Sequence, residues 1–212
     1  MNITLEKLEN ISSTGMAKLS ITYQYVLLGI IASVIGAGIG IMTLPTIQGL
    51  AFLALIVLQF GALFLFLFKQ NILTYLAFTF ITGLTLTPLM SMLIGTGQVN
   101  VIFQALMGTA IVVGGLTYYT LTTKKDYLQY KTIFFWILVG IIIVSVVNIF
   151  LGSSLLSLVI SWVVLAVFSY FIVADTQEVL YTDITPLAAA MSLYLDILNI
   201  FIALVNILSN KE

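Results

Sequence analysis

Apolar residues run along this chain in seven long stretches parted by short polar connections. The stretches cover about residues 22–43, 47–68, 72–94, 99–122, 132–152, 155–177 and 186–208. About 20 apolar residues carry a helix across the hydrocarbon core, and a helix satisfies its own backbone groups there. The pattern predicts an all-α integral membrane protein with seven transmembrane helices. A polar tail spans 1–21, the transmembrane domain 22–208 and a short C-terminal tail 209–212. The first stretch exceeds the about 7–15 apolar residues of a signal peptide, so it reads as an uncleaved first span.

Finer features sit on this pattern. Gly36 and Gly40 form a GxxxG motif in the first stretch, with Ala32 one turn earlier. Small residues at that spacing let helix backbones approach closely. Pro88 predicts a kink in the third span, where Thr85 and Thr87 can bond the freed carbonyls. Thr185 and Pro186 suit the N-cap and first turn of the seventh span. Gln59, Asn100, Gln104, Ser145 and Asn148 read as interhelical hydrogen-bonding residues.

Composition agrees with the pattern. The chain has 212 residues, of which 61% are hydrophobic and 7% charged, against about 25% charged in soluble domains. The net charge of −1 excludes a general attraction to nucleic acid. Cys, His and Arg are absent, which removes the usual zinc, copper, haem and iron–sulfur ligands. No catalytic constellation is visible, so neither an enzyme nor a resident cofactor is expected.

The seven lysines orient the spans. Lys7 and Lys18 precede the first, Lys69 follows the second, and Lys124, Lys125 and Lys131 lie between the fourth and fifth. By the positive-inside rule the N-terminus is cytoplasmic. Seven spans then place the C-terminus, with Lys211, outside. The connection after the sixth span should be cytoplasmic, yet it carries Glu178 and Asp183 and no lysine. The exclusive use of Lys over Arg favours a bacterial inner membrane.

Two aspartates stand out. Asp175 lies near the inner end of the sixth span, and Asp196 about ten residues into the seventh, roughly 15 Å deep. A carboxylate inside a membrane is costly and marks an ion or proton pathway. Ser192, Asp196, Asn199, Ala203 and Asn206 share one helical stripe, so the seventh span is expected to be central or to line a passage. Asn199 is placed to hold the Asp196 carboxyl. Two carboxylates brought together by neighbouring helices can share one proton and titrate as a unit. Without that proton they are hard oxygen ligands suited to Ca²⁺. Lys69, at the same inner side, is a candidate partner for Asp175.

The segments FIVADTQEVL and PLAAAMSLYLDILNIFIALVNIL, with YLAFTFITGLTLTPLM over 75–90, resemble the Bax inhibitor-1 (transmembrane Bax-inhibitor-motif) family, most closely its bacterial seven-helix calcium-leak members. The resemblance implies six helices around a central seventh and a pH-regulated Ca²⁺ leak. It assigns the family's paired aspartates to Asp175 and Asp196. Family members often carry an Arg at the end of the second helix that engages the sixth-helix aspartate in the closed state. This chain has no Arg, and Lys69 is the basic residue of that region. Gln59 lies near the position of the family's second-helix glutamate.

The residues and the resemblance together give a pH-sensitive calcium or cation leak channel, in contact with membrane lipid, Ca²⁺ and H⁺. Two other classes stay open. One is a non-conducting interaction protein that modulates a membrane protease or membrane-protein quality control. The other is an H⁺-coupled small-solute transporter.

Overall fold

The computed structural model describes residues 11–43 and 50–210, with backbone alone for 50–52. Lys7 and Lys211 lie outside the described residues. Eight α-helices and one 3₁₀ turn make up the described elements, with no strand among them. They are α1 (Ser13–Thr43), α2 (Leu50–Lys69), α3 (Ile72–Thr85), α4 (Thr87–Gly95), α5 (Val99–Thr122), α6 (Lys131–Leu151), α7 (Ser154–Tyr181) and α8 (Pro186–Ser209); the 3₁₀ turn is Leu128–Tyr130. Six stretches, with α3 and α4 taken together, are long and apolar enough to cross a membrane, and α2 supplies a shorter apolar one. Many of their apolar side chains are exposed, Phe68, Ile149 and Phe150 among the most open. Such a surface is stable only against lipid or another apolar face.

The chain divides into two compact units. One comprises Ser20–Val99 and Thr185–Tyr194. Its helices meet through glycine. A Cβ on Gly36 would lie 2.3 Å from the Phe80 carbonyl oxygen, on Gly40 1.9 Å from Thr87 Oγ1, and on Gly83 2.0 Å from the Ser33 carbonyl oxygen. The GxxxG motif therefore does set a close helix approach, with Gly83 opposite it on α3. Gly83→Ala is expected to cost about 1–3 kcal/mol, the usual range for overpacking, read from thermal unfolding in detergent. Ser33 ties the seam together: its hydroxyl lies 2.9 Å from Gly29 O, 2.8 Å from Thr79 O and 2.6 Å from Tyr194 Oη. Tyr194 packs edge-on against Tyr75 and Phe78.

The kink at Pro88 appears as the break between α3 and α4 at Leu86. Thr85 bonds the Thr82 carbonyl at 2.8 Å, which the Leu86 amide already serves, and not a carbonyl freed by Pro88. Thr87 does not join it: its hydroxyl has no hydrogen-bond partner among the described residues, because it faces Gly40. Gln59 links α2 to α3 through Thr82, at 3.2 Å. Thr185 caps α8, accepting from the Ala188 amide at 3.3 Å.

The other unit comprises the described parts of Met1–Leu19, Asn100–Ile184 and Leu195–Glu212. Here α6 and α7 form a hairpin. Gly152 ends α6 with a left-handed φ of 61°, which glycine adopts without steric cost, and Ser153 caps α7. Asn148 stitches the turn, donating to Ser157 Oγ at 2.7 Å and to Ser153 O at 3.2 Å. Both α1 and α7 outrun their apolar stretches. The helix of α1 begins at Ser13, well before residue 22, and α7 continues to Tyr181. These extensions pack together: a Cβ on Gly15 would meet Leu180 O at 2.8 Å, and Lys18 Nζ donates to Thr182 O at 2.6 Å.

Candidate functional site

The site is built on α7, where twelve apolar and polar residues from Ser161 to Leu180 are buried. Asp175 lies in the most enclosed part, 5% exposed. Glu178 follows three residues later, on the same face of the helix. Asp196 is carried by α8 and is also 5% exposed. The two aspartates lie within side-chain hydrogen-bonding reach of each other. One Asp196 oxygen, Oδ2, is buried without a hydrogen-bond partner among the described residues.

The cation at this site is Lys131, the first residue of α6. Its Nζ lies 2.8 Å from Asp175 Oδ1 and 2.5 Å from Glu178 Oε2. Two carboxylates one turn apart thus share one ammonium. Glu178, expected in the connection after the sixth span, is instead a helical residue in this ion pair. The connection after α7 is accordingly less acidic than the sequence suggests, because Lys131 reaches Glu178 and Lys18 reaches Thr182.

Lys131 is placed by the segment before it. Thr123–Tyr130 runs from the end of α5 to the start of α6 and lies along α7. Gln177, fully buried, holds it with both ends of its amide: Oε1 accepts from the Tyr127 amide at 2.8 Å, and Nε2 donates to Lys125 O at 2.7 Å. The Tyr170 hydroxyl donates to Tyr127 O, and the Tyr170 ring stacks on Phe134 with centroids 3.5 Å apart. The Tyr119 and Tyr127 hydroxyls lie 2.5 Å apart. That hydrogen bond pushes Tyr127 up to about 12, so this phenol stays protonated at neutral pH.

The expected supporting residues fall in different places. Asn199 does not hold Asp196: its amide donates to the Leu195 carbonyl 2.7 Å away, the i−4 bond that short polar side chains make within a helix. Ser192 is half-buried and belongs to the other unit. Asn206 is half-buried, and its backbone carbonyl accepts from Ser209 and Asn210. Lys69 ends α2 as an exposed residue of the other unit, and the ion pair on Asp175 is made by Lys131 instead. A lysine at a helix end reads as a topology signal, so sequence alone gave Lys131 no link to Asp175. The signal for Gln177 was slight: an uncharged amide beside a conspicuous aspartate.

Residues 16–212 match the family described as inhibitor of apoptosis-promoting Bax1. The chain belongs to the Bax inhibitor-1 family. Similar proteins of this kind include an uncharacterised protein of Campylobacter jejuni, 35% identical over 92% of this chain and 91% of its own length. One from Helicobacter pylori is 34% identical over 88% of this chain and 84% of its own. An uncharacterised membrane protein of Vibrio cholerae is 42% identical over 51% of this chain and 49% of its own. The Bax inhibitor-1 match covers both aspartates, Lys131 and Gln177 alike.

The groups gathered here are two buried aspartates, Glu178 and the Lys131 ammonium. Among the described residues no group of three or more acidic side chains is close enough to hold a metal ion, and the ammonium already sits between two carboxylates.

Proposed function

We propose that this protein is a pH-sensitive cation leak of a bacterial inner membrane, with Ca²⁺ as the permeant ion and the Asp175–Asp196 pair as its proton sensor. The observation that carries the reading is the approach of two buried carboxyls from two apolar helices. With one proton between them, the pair bears a single negative charge and sits beside the Lys131 ammonium. Loss of that proton leaves two charges, with Glu178 adding a third and Lys131 balancing one; Tyr170 on α7 is a further titratable neighbour, with Asp126 beyond it. Repulsion between the aspartates and attraction for a free cation then rise together. Oxygen ligands of this kind favour Ca²⁺.

The proposed arrangement is six helices around α8, with the N-terminus cytoplasmic and the C-terminus outside. It is supported by the enclosure of α8: from Pro186 to Ser209 no residue is exposed, and half of its most apolar window is buried, the largest share among the spans. The lysine distribution supports the orientation.

The test is calcium entry into liposomes that hold the purified protein and a trapped calcium dye, at equal pH on both sides. Entry well above protein-free vesicles is expected without any partner protein. No entry under any condition would point to the interaction-protein reading. Entry of a solute only under an imposed proton gradient would point to the coupled transporter.

A further inference from the structure

We propose that Gln177 is a positioning residue: it clamps the Thr123–Tyr130 segment onto α7 and so holds Lys131 as a tethered cation on Asp175 and Glu178. The inference rests on the proposed leak, and adds to it what keeps the carboxylates occupied. Lys131 follows directly on the clamped segment, after the 3₁₀ turn Leu128–Tyr130. Its backbone position is therefore set by the clamp. The Gln177 amide is fully buried and bonds only main-chain groups of that segment, once as acceptor and once as donor. A buried amide with both ends satisfied by one loop fixes that loop in register; an apolar replacement would leave the Tyr127 amide and the Lys125 carbonyl without these partners. Tyr170 adds a third bond to the same segment at Tyr127 O.

The ammonium stands where a free cation would have to bind Asp175. A mobile cation gains the site only when Lys131 withdraws, and withdrawal requires the segment to lift. Lys131 is thereby a competitor built into the chain, with an effective concentration set by the clamp.

The experiment uses Gln177→Leu, Lys131→Met and their double variant in the full-length protein. Hydrogen exchange of peptides covering 123–130 is expected to be about tenfold faster or more in Gln177→Leu, with the Ser154–Phe168 part of α7 unchanged. The Lys131→Met substitution is expected to lower the unfolding equilibrium constant's protection several-fold less in the Gln177→Leu background than in wild type, because the ion pair is already loosened. In the dye assay, Gln177→Leu and Lys131→Met each raise calcium entry several-fold, and the double variant exceeds neither. Equal effects of Lys131→Met in both backgrounds, or fully multiplicative entry rates, would overturn the positioning role. Were no variant to conduct, the leak reading would fail, while exchange and coupling would still decide the role of Gln177. Tyr170→Phe, which removes one hydroxyl donor and keeps the ring, provides a milder second variant. It is expected to shift exchange of the same segment in the same direction, and unchanged exchange in both variants contradicts the clamp.

Discussion

Lys131→Met lowers the stability of the protein by about 3 kcal/mol, and adding Asp175→Asn restores much of the loss. Removing one partner of a buried ion pair typically costs about 3–5 kcal/mol, because the other charge is left in a poor solvent. Asp175 is the enclosed partner, with its side chain 6% exposed against 34% for Lys131. The exposure of Lys131 brings the expected loss to the lower end of that range. Asparagine at 175 removes the stranded charge and keeps the shape, so the double variant unfolds closer to wild type than Lys131→Met does. The four proteins form a double-mutant cycle in which the coupling belongs to the pair. Thermal or denaturant unfolding in detergent reads it. A loss below about 0.5 kcal/mol for Lys131→Met would mean that the pair behaves like an exposed surface bridge.

Much of the architecture was legible because a membrane imposes a simple rule on length and hydropathy. The stretches at 72–94, 99–122 and 186–208 agree with the helices to within a residue. The first and sixth differ for a common reason. Hydropathy marks where apolar residues stop, whereas a helix stops where its hydrogen bonds do. Residues 13–21 are too polar to extend a span, but Gly15 and Leu19 find packing on the described unit and the helix persists. Likewise Thr176, Gln177 and Glu178 continue α7 past Asp175, and the helix ends only at Thr182.

The site divides along the same line. Asp175 and Asp196 were visible because a charge in an apolar span is conspicuous by itself. Lys131 and Gln177 were not, because their meaning depends on contacts between segments far apart in sequence. The polar stripe of α8 was read as a unit by its spacing, yet Asn199 spends its amide on its own helix. Spacing places residues on a face, and local backbone carbonyls compete for the side chains there.

The second large effect concerns the shared proton. In the proposed leak, acid keeps a proton between Asp175 and Asp196, so the pair's one charge and that of Glu178 face the single Lys131 ammonium. Raising the pH removes the proton and adds a third carboxylate charge against the same cation. Wild-type calcium entry is therefore expected to change several-fold with pH, higher where the pair has lost its proton, since one titrating step alters an occupancy by at most about tenfold per pH unit. Asparagine at both positions keeps the size of the side chains and removes the titration. Its two amides can bond one another, so the fold is expected to persist. The most direct measurement is calcium entry into dye-loaded proteoliposomes across pH 6–8, wild type beside the Asp175→Asn/Asp196→Asn variant. The account predicts a pH-dependent rate in the first and a flat one in the second. The same pH-dependent entry in both would contradict it.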